Sequence, residues 1–213
     1  MSGRLLAVCV SGSDLLPLPG RRPDRSGIDK RPVAGRVAVH PLGLDGDVQV
    51  NRRYHGGEGQ ALYAYAQEDA DWWEAELGRE LPDGMFGENL TTAGLDLVAS
   101  RIGEVWRVGD VLELQPTFGR IPCATFQAKM GEPRWVRTFT AESRPGAYLR
   151  VITPGDVRGG DPVEVVDRPA HGVTIALAFR AYLTERHLLP ELLAIDGLPD
   201  DLRATLRQRM GGA

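Results

Sequence analysis

The chain has 213 residues, 42% hydrophobic and 25% charged, with a formal net charge of -4, which allows one good-sized core plus a small appendage. That acidic balance, without any basic cluster, argues against nucleic acid as a partner. Two cysteines far apart at Cys9 and Cys123 form no secreted-type framework, and no run approaches a membrane span, so the expectation is a cytoplasmic protein with free thiols and no membrane partner.

The 26 glycines and 15 prolines favour a turn-rich β body over long helices. Leu5 to Val10 reads as a buried opening strand, too short and too soon followed by Ser, Gly and Asp to be a signal peptide. Residues 12–32 are rich in Pro, Gly, Arg and Asp and predict a long exposed loop. A strand follows at Val33 to His40, then a turn-rich crossing to Val50. From Gln60 to Leu77, the residues Leu62, Tyr65, Ala66, Trp72, Trp73 and Leu77 predict a helix with one apolar face, stopped at Gly78. The two tryptophans read as core anchors.

From Gly87 to Val166 the pattern is one of short strands. Val105 to Leu114 predicts a hairpin bent at Gly109-Asp110, and Tyr148 to Ile152 and Val163 to Val166 complete the β region around the turn Gly159-Gly160-Asp161-Pro162. Several short strands with one inserted helix predict a β-barrel or closed sandwich. Helices are expected at Val173 to Leu183 and Asp201 to Met210, with Pro190 and Pro199 at helix starts. The division expected is a mainly β domain over residues 1–167 and a three-helix appendage over 168–213.

Four loop segments and one cysteine carry residue types that packing does not require. Lys30-Arg31-Pro32 is a basic step at the end of the long loop, otherwise a solvated pair. Gly43-Leu44-Asp45-Gly46-Asp47 places two carboxylates in a turn, where ordinary turn chemistry also explains them. Arg53-Tyr54-His55-Gly56-Gly57 precedes the predicted Gln60 helix, where backbone amides and the helix dipole favour an anion and His55 adds a donor or proton-transfer group. Phe86-Gly87-Glu88-Asn89-Leu90 offers Asn89, donor and acceptor together. Cys123 follows Arg120-Ile121-Pro122. A nearby guanidinium favours the thiolate, so Cys123 reads as a nucleophile, a sulfur carrier or the soft ligand of a metal, against the alternative of a small buried hydrophobe. Arg120, Arg144 and Arg150 add fixed charge that suits phosphate. Zinc ligand spacing is not seen.

Taken in order, these segments resemble the MOSC family, named for the C-terminal domain of molybdenum cofactor sulfurases. The run is Lys30-x-Pro32, Gly43 to Asp47, His55-Gly56-Gly57, Phe86 to Leu90, Arg120-x-Pro122-Cys123, Gly146-x-x-x-Arg150-Val151 and Gly159-Gly160-Asp161. The helical tail resembles the stand-alone bacterial, YiiM-like branch, and no aminotransferase-like domain is seen. The resemblance implies a mainly β, MOSC-type barrel with an inserted helix, binding a molybdenum cofactor (Mo-pyranopterin). Cys123 would supply the thiolate to molybdenum, a reasonable soft ligand. Lys30, Arg120 and the His55-Gly56-Gly57 entry would hold the pterin phosphate, joined by Arg150, while Asn89, Asp45 and Asp47 would read the pterin edge or orient the basic groups.

Relatives in the family reduce N-hydroxylated compounds, including hydroxylaminopurines and amidoximes. The implied activity is such a reduction, with His55 as proton donor. Two cysteines cannot hold an iron–sulfur cluster and no dinucleotide fingerprint is present, so a separate flavin or iron–sulfur reductase would deliver electrons. A homodimer is compatible with the sequence. The alternatives are a sulfur carrier or cofactor-handling module bearing a Cys123 persulfide, and a non-catalytic ligand-binding barrel. The family is also associated with pyridoxal phosphate, but a Schiff base would need Lys30 or Lys129, neither in a phosphate cup.

Overall fold

The computed structural model describes residues 2–11, 15–18, 25–50, 56–196, 198 and 200–211. Its strands in chain order are β1 (Ser2–Val10), β2 (Leu16–Pro17), β3 (Arg25–Ser26), β4 (Arg31–Pro32), β5 (Val37–His40), β6 (Gly43–Leu44), β7 (Leu62–Ala66), β8 (Leu90–Ala93), β9 (Val105–Val108), β10 (Leu112–Phe118), β11 (Ala147–Thr153), β12 (Gly155–Val157) and β13 (Pro162–Asp167). The helices are α1 (Gln67–Leu77), α2 (Ala124–Met130), α3 (Trp135–Glu142), α4 (Ile175–Leu183), α5 (Leu189–Leu193) and α6 (Asp200–Gly211).

Seven strands close into the expected barrel in the order β13-β9-β10-β11-β7-β8-β1. The closing seam is the antiparallel pairing of β1 with β13, Ser2 opposite Glu164 and Arg4 opposite Pro162. All ladder pairs are antiparallel except β7 with β8, joined through α1, as a parallel pair needs a crossover. Strand β4 extends β1 outside the barrel, pairing Cys9 with Pro32. Closure leaves the barrel without free edges.

Inward residues of alternate strands form the first core, among them Leu5, Leu62, Leu90, Trp106, Leu114 and Leu149. It is continuous with Ile175, Ala178, Leu189, Leu192 and Leu206, so the C-terminal helices share the core of the barrel. A second, aromatic cluster covers the outer face of β7: Tyr63 and Tyr65 pack with Trp73, Phe86, Phe126, Trp135 and Phe139. Trp73 is its anchor, 1% exposed and 4.6 Å from the Trp135 ring centroid. Trp72 is only half-buried, under the Arg144 guanidinium.

The helix expected from Gln60 is a three-residue 3-10 turn (Glu58–Gln60), then β7, and only then α1. Every β7 residue is buried, because Leu62, Ala64 and Ala66 face the barrel while Tyr63 and Tyr65 face the helices. A strand covered on both faces loses its alternation and reads like a buried helix segment. The end of α1 is as expected, with Gly78 at φ 64° closing it through a bond to Glu74 O. Helices α2 and α3 stand where strands were expected. The hairpin at Gly109, β11 and β13 are present. The long loop carries the short β2–β3 hairpin and buries Leu18 and Ile28.

Candidate functional site

A cavity of about 390 Å³ opens where the starts of β7 and β11 and the approach to β8 meet the segment before β4. Lys30, Asp47, Gly56, Asn89, Arg120 and Cys123 line it, six of the residues singled out in sequence. They arrive from segments spread over more than 90 positions, so the barrel has gathered one site from separate loops.

Asp47 is the organiser. Its Oδ2 accepts from Lys30 Nζ and from Asn89 Nδ2 (2.9 Å), and its Oδ1 from Ser11 N (3.0 Å) and Oγ (3.2 Å). Burial works against this carboxylate, but Lys30, Asn89 and Ser11 outweigh it and hold its pKa below the usual range. Lys30, 9% exposed, is pulled down by burial while Asp47 opposes. Four donors converge on Asp47 and hold the pair together. Asn89 is committed within the protein. Its backbone bridges Cys9 and Tyr63 (both 2.7 Å), and its side chain reaches Cys9 O (3.2 Å) and accepts from Tyr63 N (3.2 Å). It joins β1 to β7 and orients Asp47 at the same time.

Arg120 is different. It is 8% exposed, with its guanidinium 4.6 Å from the Phe126 centroid and 5.2 Å from that of Tyr63. Its Nε is buried without a hydrogen-bond partner, and among the described residues its side chain forms no ion pair. Gly87 (φ 74°) makes room for it, since a Cβ there would lie 2.8 Å from Ile28 Cγ1 and 3.2 Å from Arg120 Nη1. A buried cation without an ion-pair partner marks a place for an anionic ligand.

Cys123 caps α2 in extended conformation (φ -134°), its carbonyl accepting from Gln127 N at 3.0 Å. The side chain is half-buried, on the cavity wall. Cys9 is fully buried, and burial pushes its thiol far up. Of the two sulfurs, only Cys123 faces the cavity.

The remaining expected residues are placed elsewhere. Asp45 is exposed and pairs with His40 on the surface at 2.8 Å. Arg150 lies on β11, its Nε buried and unpartnered, away from the cavity lining. Gly57 is exposed and precedes a single 3-10 turn, so no helix dipole stands behind Gly56-Gly57. His55 lies outside the described residues. Lys30 and Lys129 are both ion-paired, the latter with Asp29.

Sequence reasoning missed Tyr63 and Tyr148 on the cavity wall. Aromatic residues in strands read as packing. The available signal was alternation in β11, where Leu149 and Val151 face one way and Tyr148 the other. Burial pushes both phenols up, with Arg120 opposing.

Residues 51–164 match the MOSC domain family, and the chain is 31% identical to the uncharacterized protein YflK of Bacillus subtilis (strain 168), over 86% of this chain and 84% of that protein. The chain belongs to the MOSC family. The crystal structure of YiiM from Geobacillus stearothermophilus superposes with a TM-score of 0.80 at 27% identity, covering 97% of this MOSC protein and 98% of that chain. A reductase of Gibberella moniliformis (strain M3125 / FGSC 7600) is 30% identical over 68% of this chain, which spans 26% of that longer protein. Among the described residues no helix is long and apolar enough to cross a membrane.

Proposed function

We propose that this MOSC protein is a molybdenum-cofactor-dependent oxidoreductase that reduces N-hydroxylated compounds, hydroxylaminopurines and amidoximes, with electrons from a separate flavin or iron–sulfur reductase. The observation that carries this reading is the presence, on one cavity wall, of the Cys123 thiol and the buried Arg120 guanidinium, whose Nε has no hydrogen-bond partner. A soft sulfur beside a buried cation suits a ligand that has both a soft metal and an anionic group. The named Gibberella reductase supports the class of reaction.

The residues fit such a cofactor. Cys123 would ligate molybdenum, and Arg120 would hold the phosphate of the pyranopterin, with Lys30 adding charge held in place by Asp47. Gly56 and Gly87 keep backbone close to the cavity without side chains. When bound, the molybdenum centre supplies two-electron redox chemistry, and overall R–NHOH, two electrons and two protons give R–NH2 and water. Burial keeps Arg120 dehydrated, so its charge acts on the anion at low dielectric. Purified from a host that makes the cofactor and given an artificial reductant, the protein reduces benzamidoxime and 6-hydroxylaminopurine. Molybdenum-loaded protein that leaves both untouched would refute the reading.

A further inference from the structure

The cavity wall around Cys123 presents polar groups that the protein itself does not pair. Lys30 is committed to Asp47 and Asn89 to Asp47 and Cys9, whereas Arg120 Nε and Gln60 Oε1 are buried without a hydrogen-bond partner. Tyr148 lines the same cavity, and its hydroxyl makes no hydrogen bond among the described residues. Its neighbours differ in this respect. The Tyr63 hydroxyl donates to Pro145 O (2.9 Å) and that of Tyr65 to Arg144 O (3.1 Å). Tyr148 is only half-buried and its hydroxyl is not among the sealed-off polar atoms, so it stands open on the cavity wall, free to donate to a ligand there.

The ring is also firmly placed. Tyr148 sits opposite Tyr63 in the β7–β11 ladder, with ring centroids 5.3 Å apart at 48°. The buried Thr117 hydroxyl lies 2.6 Å from Gly59 O and 3.2 Å from Tyr148 O, clipping this strand to the turn that ends in the cavity residue Gln60. A donor held on a strand and a buried cation, side by side with the sulfur, complement an electron-rich oxygen better than a nitrogen bearing hydrogens.

We propose that Tyr148 is a catalytic residue that donates a hydrogen bond to the oxygen of the substrate's N–O bond. This rests on the function proposed above. Reduction of R–NHOH to R–NH2 and water takes two electrons from the separate flavin or iron–sulfur reductase and two protons from solvent, and Tyr148 keeps its own proton. As the N–O bond breaks the oxygen gains electron density, so the hydrogen bond strengthens toward the transition state.

The test compares wild type with Tyr148→Phe, both checked for molybdenum content and Tm. Calorimetric binding of benzamidoxime is set against benzamidine, which lacks the oxygen. Wild type prefers the oxygenated compound, and Tyr148→Phe loses about tenfold of that preference while binding benzamidine as before. With an artificial reductant its kcat falls on the order of 10²-fold and KM changes less. A variant that keeps both the preference and the kcat overturns the role of Tyr148 alone. A molybdenum-loaded wild type inactive on every N-hydroxylated substrate overturns the proposed function, and this inference with it. A variant with lowered Tm and unchanged preference assigns Tyr148 to packing and also overturns the inference.

Discussion

Replacing Asp47 with alanine removes the carboxylate that four donors share and leaves Lys30 buried without its partner. The side chains of Lys30 and Asp47 are only 9% and 4% exposed, so solvent cannot replace the lost partner. Breaking a buried pair by deleting one member costs about 3–5 kcal/mol. At about 2–4 °C per kcal/mol for a chain of this size, Tm falls on the order of 10 °C. Replacing both members, Lys30→Met with Asp47→Leu, restores much of the loss, because no unpaired charge remains. Thermal and urea unfolding of the two single variants and the double variant measure this cycle. The pH dependence has a definite sign. Asp47 has a depressed pKa in the folded protein, so its contribution is present above the unfolded carboxylate value and is lost as pH falls through the folded one. The gap between wild type and Asp47→Ala therefore closes in acid. A loss below 1 kcal/mol at neutral pH, or a gap that widens in acid, would refute this account of the network.

Three other outcomes are expected. Trp73→Ala destabilises by about 3–5 kcal/mol, whereas Trp72→Ala, at a half-buried ring, costs under about half of that; equal losses in urea melts would contradict the division between them. A small alkylating reagent labels Cys123 in the native protein and Cys9 only after unfolding, because Cys9 is fully buried with its thiol pushed far up; mass spectrometry of peptides that found native Cys9 labelled first would show the barrel wall misplaced. Inorganic phosphate raises the Tm of the cofactor-free protein by binding at Arg120, and Arg120→Met abolishes that rise; a variant still stabilised by phosphate would move the anion site elsewhere.

Much of the site was legible because its chemistry sits at turns. Lys30, Asp47, Asn89, Arg120 and Cys123 lie in loops or at strand and helix ends, where polar residues have few packing reasons to be present. Asp45 and Asp47 show the limit of such reading. Two residues apart in one turn, one faces solvent with His40 and the other organises the cavity, a difference set by the tertiary position of Ser11. Strand β7 was read as helix because both its faces are buried, and the same double burial hid Tyr63. Helices α2 and α3 escaped notice because each is short, 7 and 8 residues, and their apolar residues answer to the aromatic cluster rather than to a long periodic face. The barrel itself was visible in its strand spacing and turns, and the family resemblance added its closure.

The most direct test of the central claim is molybdenum analysis by mass spectrometry of protein purified from a cofactor-producing host, wild type beside Cys123→Ala. The account predicts near-stoichiometric molybdenum in wild type and its loss in the variant at unchanged fold. Well-folded wild type without molybdenum, or a variant that retains it fully, would contradict the assignment of Cys123 as the ligand of a molybdenum cofactor.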